Sequence, residues 1–175
     1  FNRQIFKHLE YWKNNKQRKP LIIRGARQVG KTTLVKDFAK TYPNSILLNL
    51  EKQVDKSFFE DLNDVKSIQE ALFLSKNINA ANLGKTLLFL DEIQESPKAI
   101  QLLRYFYEEM PELHVIAAGS LLEFAMKEVK SFPVGRVEFL YLHPMNFPEY
   151  LEALGHSAAL EQFYQVPIKP FAHKV

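Results

Sequence analysis

The residues best equipped for chemistry lie in the run GARQVGKT at positions 25 to 32. It fits G-x-x-x-x-G-K-[ST], a loop whose backbone N–H groups wrap a phosphate chain. In such a loop Gly25 permits a tight exit from a strand, and Gly30 lets the backbone close on the β-phosphate. The Lys31 ammonium reaches the β- and γ-oxygens, while the Thr32 hydroxyl is offered to Mg²⁺. Ala26, Arg27, Gln28, Val29 and Thr33 complete the expected cradle, and the helix that follows turns its amide end toward the anion. At ordinary Gly and Lys frequencies the pattern arises by chance in under roughly one in a hundred chains of this length. Here it also follows the apolar run Leu21-Ile22-Ile23 and opens a helical pattern, the strand-loop-helix setting that the chemistry requires.

A second group is Leu87-Leu88-Phe89-Leu90-Asp91-Glu92, four apolar residues and then two carboxylates. Asp91, at the C-terminal edge of a buried strand, is placed to order the water shell of Mg²⁺, so Thr32 and Asp91 form the expected metal-holding pair. Glu92 is placed to polarise the water that attacks the γ-phosphate. In isolation the two acids read equally well as the polar end of a core strand; beside a phosphate loop the catalytic reading gains. The second carboxylate also favours a hydrolase, because phosphotransfer to a small acceptor has no water to activate. No N-K-x-D guanine-reading run occurs, which makes ATP the expected nucleotide.

Two further side chains have two readings each. Ser120 ends a strand pattern over 114–118, and from there it either hydrogen-bonds the γ-phosphate or lytic water, or caps the next helix. Arg136 precedes a second extended pattern and is either a finger aimed at a neighbouring subunit's γ-phosphate or an ordinary surface arginine. The histidines, at 8, 114, 143, 156 and 173, show no ligand-like spacing.

Those groups need a scaffold, and hydrophobic periodicity supplies it. Ile5, Leu9 and Trp12 recur at helical spacing before Pro20. The pattern then predicts a strand at 21–24, a helix from Lys31 to Lys40, a strand at 45–50 and an irregular loop to about Asp64. A helix from Val65 toward Asn79 precedes the strand 86–90, whose unbroken apolar run suits a parallel sheet covered on both faces. Ser96-Pro97 reads as a cap and first-turn proline of a helix reaching Met110. Strand 114–118, helix 121–128, extended segment 137–142 and helix 147–154 complete an α/β alternation that predicts a three-layer domain.

The 175 residues are 46% hydrophobic and contain no cysteine, which allows one substantial core and excludes disulfides and thiolate metal sites. No apolar run approaches a membrane span and no secretory leader is visible, so a cytoplasmic protein with no membrane partner is expected. The start at Phe1 rather than a methionine reads as a trimmed or disordered beginning. Residues 1–40 carry eleven Lys or Arg against Glu10 and Asp37, while the remainder is acidic. That asymmetry suits either a field that attracts polyphosphate or a nucleic-acid footprint, although no reader motif accompanies it.

Taken together, the segments resemble the bacterial and archaeal AAA-like ATPases of the AAA_14 type, whose members commonly carry a C-terminal DUF4143 region. The likeness runs through R-x-I-x-x-x-L at 3–9, GARQVGKT at 25–32, FLDEIQ at 89–94, AGS at 118–120, GRV at 135–137 and LHPMNFPEY at 142–150. It implies a P-loop NTPase fold, α/β/α in three layers, with a mainly parallel sheet of the additional-strand type. It also implies phosphate-loop roles for Lys31 and Thr32, Walker B roles for Asp91 and Glu92, and the sensor position for Ser120. Arg136 matches the family's Gly-Arg, acting across subunits if the chain forms a ring. Gln94 fits the family letters and either orients Glu92 or starts a turn.

Family members usually continue into a lid or winged-helix element and the C-terminal region, so the resemblance implies an N-terminal ATPase part. The expected division is a basic helix at 1–20 packed on the core, the ATPase domain at 21–155, and a linker or start of the further region at 156–175. The expected function is Mg²⁺-dependent ATP hydrolysis coupled to that attached domain, with weak activity in this piece and a homo-oligomer among its expected partners. The alternative is an ATP-gated switch that binds DNA or protein with little turnover.

Overall fold

Strand and helix alternate along the chain as the periodicity predicts, and the computed structural model describes residues 4–120, 122, 132–144 and 147–165. In chain order the elements are α1 (Gln4–Asn14), β1 (Leu21–Arg24), α2 (Lys31–Ala39), β2 (Asn44–Asn49), α3 (Gln53–Glu60), α4 (Val65–Ser75), β3 (Thr86–Asp91), α5 (Pro97–Glu109), β4 (His114–Gly119), β5 (Glu138–Tyr141), α6 (Phe147–Ala153) and α7 (Ser157–Gln165). The strands form one five-stranded sheet in the order β2-β3-β4-β1-β5. All four pairings are parallel, with Arg24 level with Gly119 and Asn49 level with Asp91.

Successive side chains of a strand point to opposite faces, and that alternation sorts the core into two halves. Ile22, Leu88, Leu90, Val115 and Ala117 point to one side, where Phe59 of α3, Ile68 and Leu72 of α4, and Ile100 and Phe106 of α5 cover them. Leu21, Ile23, Leu87, Phe89, Ile116 and Ala118 point to the other, beneath Leu9 and Trp12 of α1 and Val35 and Phe38 of α2. Helices therefore cover both faces, giving the three layers expected. Because β4 lies between β1 and β3, the phosphate-loop strand and the acidic strand are one strand apart.

The stretch from 53 to 60 corrects the sequence reading: a helix stands where an irregular loop is expected. It starts without a side-chain cap at Lys52, which hides it from a search for cap residues. Its hold is tertiary, through the fully buried Phe59 and through Asp55 Oδ2, which accepts from the Asn49 N–H at 2.9 Å. The next helix starts where Asp64 caps the Ser67 N–H, but it stops at Ser75, short of Asn79. Asn77 adopts φ 53° and the Ile78 N–H reaches back to the Phe73 carbonyl at 2.8 Å, a left-handed stop that satisfies a helix-end oxygen.

Ser96 caps α5 through the Ala99 N–H, with Pro97 in the first turn, as its sequence predicts. Of the helix expected at 121–128 only Leu122 is among the described residues. Arg3, Met145 and Asn146 and the segment 166–175 also lie outside them, while 157–165, read from sequence as linker or start of a further region, is helical. Among the described residues no helix is long and apolar enough to cross a membrane.

Candidate nucleotide site

Parallel strands bring their C-terminal ends to one edge, and this edge gathers the loop after β1, Asp91 at the end of β3 and Ser120 just past β4. Such an edge is where open α/β sheets bind ligands. The loop itself needs unusual backbone. A Cβ on Gly25 would run into the carbonyl oxygen of Leu142, whose N–H donates to the Arg24 carbonyl at 2.7 Å. Gly30 caps α2 at φ 92°, a left-handed conformation that suits glycine, and Gln28 is left-handed too at φ 63°. Gly30 has no side chain with which to cap the N-terminus of α2, and no acid occupies its first turn. A helix start of that kind favours an anion.

Lys31 lies inside the turn. It is 6% exposed, and its ammonium donates to the Gly25 carbonyl at 2.9 Å and the Ala26 carbonyl at 2.8 Å. Burial pulls its pKa below the usual lysine value, against the pull of the Glu92 and Asp91 charges. Thr32 Oγ1 donates to Asp91 Oδ2 at 2.8 Å, tying the loop to the acidic strand. Burial raises the Asp91 carboxyl above its ordinary pKa, and the Thr32 bond partly offsets this. Of the other loop residues, Ala26, Arg27, Gln28 and Thr33 are exposed, and Val29 packs against the core beneath α2.

A hydroxyl and a carboxylate in contact are hard oxygen donors. Mg²⁺ typically takes one or two such protein ligands and completes its shell with phosphate oxygens and water. The pair Thr32 and Asp91 fits that need, while the described residues hold no cluster of three or more His, Cys, Asp or Glu side chains able to grip a metal by themselves.

Glu92 follows in a left-handed turn at φ 51°, ψ 48°. Its carboxylate accepts from Gln94 Nε2 at 2.6 Å, and its N–H donates to Asp91 Oδ1 at 3.2 Å. Ser120 Oγ is buried with no hydrogen-bond partner among the described residues, just past β4, which lies between the loop strand and the acidic strand. Lys31, Thr32, Asp91, Glu92 and Ser120 are therefore drawn to one edge.

Arg136 is not with them. It precedes β5, whose first residue pairs with Leu21 at the start of β1, so it sits at the opposite edge of the sheet. There its Nε donates to Glu108 Oε1 at 2.9 Å, in a cluster shared with Arg104. Sequence reasoning also gave no task to Gly119, where a Cβ would collide with Gln94 Oε1. The run Ala117-Ala118-Gly119-Ser120 was its one trace, since small residues in succession signal close approach.

The AAA_14 sequence profile, described as an AAA domain, matches residues 17–151. Among solved structures, the chain is similar to one in the Drosophila ORC bound to DNA, with a TM-score of 0.57 and 16% identity over 91% of this chain and 47% of that one. It also aligns with the Pif1 helicase of Candida albicans, with a TM-score of 0.48 and 13% identity over 87% and 41% of the two chains. The chain thus spans less than half the length of either solved chain. No curated protein matches it by sequence. The fold is that of a three-layer α/β/α P-loop NTPase.

Proposed function

The chain belongs to the AAA_14 family of AAA domains, and from that premise and the geometry of its loop we propose that it binds ATP with Mg²⁺ and hydrolyses it. The observation that carries the reading is the 2.8 Å bond from Thr32 to Asp91, which joins the phosphate loop to the acidic strand end while Lys31 lies buried within the turn.

Each residue then has a task its position supports. Lys31 exchanges its two loop carbonyls for anionic phosphate oxygens, trading neutral acceptors for charged ones that bind roughly twice as strongly. The open amides of α2 and the glycine-bearing loop wrap the phosphate chain. Thr32 and Asp91 hold Mg²⁺, which when bound neutralises charge on the β- and γ-phosphate oxygens. Glu92 accepts the proton of the attacking water, and Ser120 directs its buried hydroxyl to the γ-phosphate or that water. Arg136, at the far edge of its own sheet, acts only if a second copy presents it. The cycle drives an attached domain, the arrangement that the resemblance to the AAA_14 ATPases implies.

Calorimetry and turnover assays on two variants test the assignment. Lys31→Ala should weaken ATP binding by at least about tenfold, the loss of one charge-assisted contact. Glu92→Gln should bind ATP like the parent yet turn it over about 10²- to 10⁴-fold more slowly. Unchanged affinity in the first variant would remove the loop from the mechanism, and unchanged turnover in the second would remove Glu92.

A further inference from the structure

We propose that Gln94 is a positioning residue that holds the Glu92 carboxylate for proton acceptance; the proposal rests on the reading of Glu92 as the residue that activates water. Gln94 lies on a short 3-10 turn, Ile93–Glu95, anchored by the fully buried Ile93. From there its Nε2 donates to Glu92 Oε2 at 2.6 Å, a short contact for an amide donor. Among the described residues that is the one side-chain hydrogen bond Glu92 makes.

The other end of the amide shows that this contact is more than packing. Gln94 Oε1 is buried with no partner among the described residues, facing the backbone of Gly119, where even a methyl group would collide with it. A buried acceptor without a partner is unfavourable. An apolar side chain of the same length would fill this space without that cost, so space-filling does not account for a glutamine. The N–H donated to Glu92 does. Turning the amide over would set its oxygen against the carboxylate, so the observed orientation is the one that attracts.

Glu92 is thereby fixed at both ends, at the backbone by its left-handed turn and at the tip by Gln94. One carboxylate oxygen is engaged by a neutral donor, and the other is left to take a proton from water. Without Gln94 the side chain regains its torsional freedom and the acceptor oxygen leaves its place. Misplacing a reacting group by about 1 Å can lower a rate by as much as 10²-fold. Among the described residues no side-chain hydrogen bond of Gln94 involves the phosphate loop, so nucleotide affinity should not follow the rate.

Single-turnover hydrolysis and calorimetric ATP affinity of the 175-residue chain test this with Gln94→Met, Gln94→Ala, Glu92→Gln and the double variant E92Q/Q94M. Methionine keeps the length and loses the donor, which separates positioning from packing. The expected result is that Q94M and Q94A are both slower by about ten- to a hundredfold at parental affinity. The double variant should be no slower than E92Q alone, because Gln94 acts only through Glu92. Parental or faster turnover in Q94M, beside a slow E92Q, overturns this inference alone, as does a double variant well below E92Q. A parent without turnover, or an E92Q as fast as the parent, defeats the reading of Glu92 and this inference with it.

Discussion

The side chain of His114 shows how single residues report on the core. It is 6% exposed at the start of β4, its Nδ1 lies 2.7 Å from the Tyr42 hydroxyl, and its ring meets that of Trp12 in a T-shaped contact. Burial, and then the nearby Arg18 and Lys13 charges, lower its pKa from 6.5 to about 3. The folded protein therefore keeps it neutral at pH values where the unfolded chain binds a proton. Stability from this group is complete above about pH 6.5 and is lost as pH falls toward 3, by up to about 1.4 kcal/mol per pH unit. Thermal melts of His114→Asn should show a shallower decline between pH 6.5 and 4.5 than the parent; equal slopes would assign the acid sensitivity to other groups. As candidates at the site, Lys31 and Thr32 are legible because a phosphate loop fixes residue types at fixed spacing, and Asp91 and Glu92 because two acids end an unbroken apolar run. Gly119 is not, because what it accommodates comes from Gln94, twenty-five positions back.

Among the elements, α3 is the one that local sequence concealed. Its first turn has no cap from Lys52, and its eight residues are too short a stretch for the spacing of Val54, Phe58 and Phe59 to announce a helix by itself. Packing of Phe58 and Phe59 against the core beneath the sheet supplies what propensity does not. Phe59→Ala should therefore destabilise the domain by about 3–5 kcal/mol, the range for emptying a fully buried aromatic site. Urea unfolding followed by circular dichroism would measure it, and a loss below about 1 kcal/mol would mean that α3 contributes little to the core. The strands and α5 were read closely, since an unbroken apolar run and a Ser-Pro cap are local signals that the tertiary structure reinforces. The end of α4 was overrun because Asn77 stops the helix with a left-handed backbone, a conformation asparagine tolerates but does not impose.

At the scale of the whole molecule, charge distribution and strand order bear on partners and copies. Part of the basic excess at the N-terminus is engaged within the fold. Lys13 donates to the Thr41 carbonyl at 2.7 Å, and Arg18 donates to the Glu112 carbonyl at 2.9 Å. For those two side chains, a nucleic-acid backbone would compete with contacts already made within the fold. Arg136 lies at the opposite edge from Lys31, so a finger role requires a neighbour. Turnover per molecule should then rise with protein concentration, and Arg136→Ala should abolish the rise by about 10³-fold or more at saturation without altering ATP affinity. Concentration-independent turnover equal in both proteins would leave Arg136 with its Glu108 contact as its sole role.

By itself the sequence determined the alternation of strand and helix and the phosphate loop with its acidic counterpart, because both depend on spacing over a few residues. Tertiary structure decided which strand lies beside which, and with it that Asp91 meets Thr32 fifty-nine positions away while Arg136 does not join them. Spacing along a chain sets what one turn of backbone can present. The order of parallel strands sets which turns share an edge, and that order emerges only when both faces of the sheet are covered together.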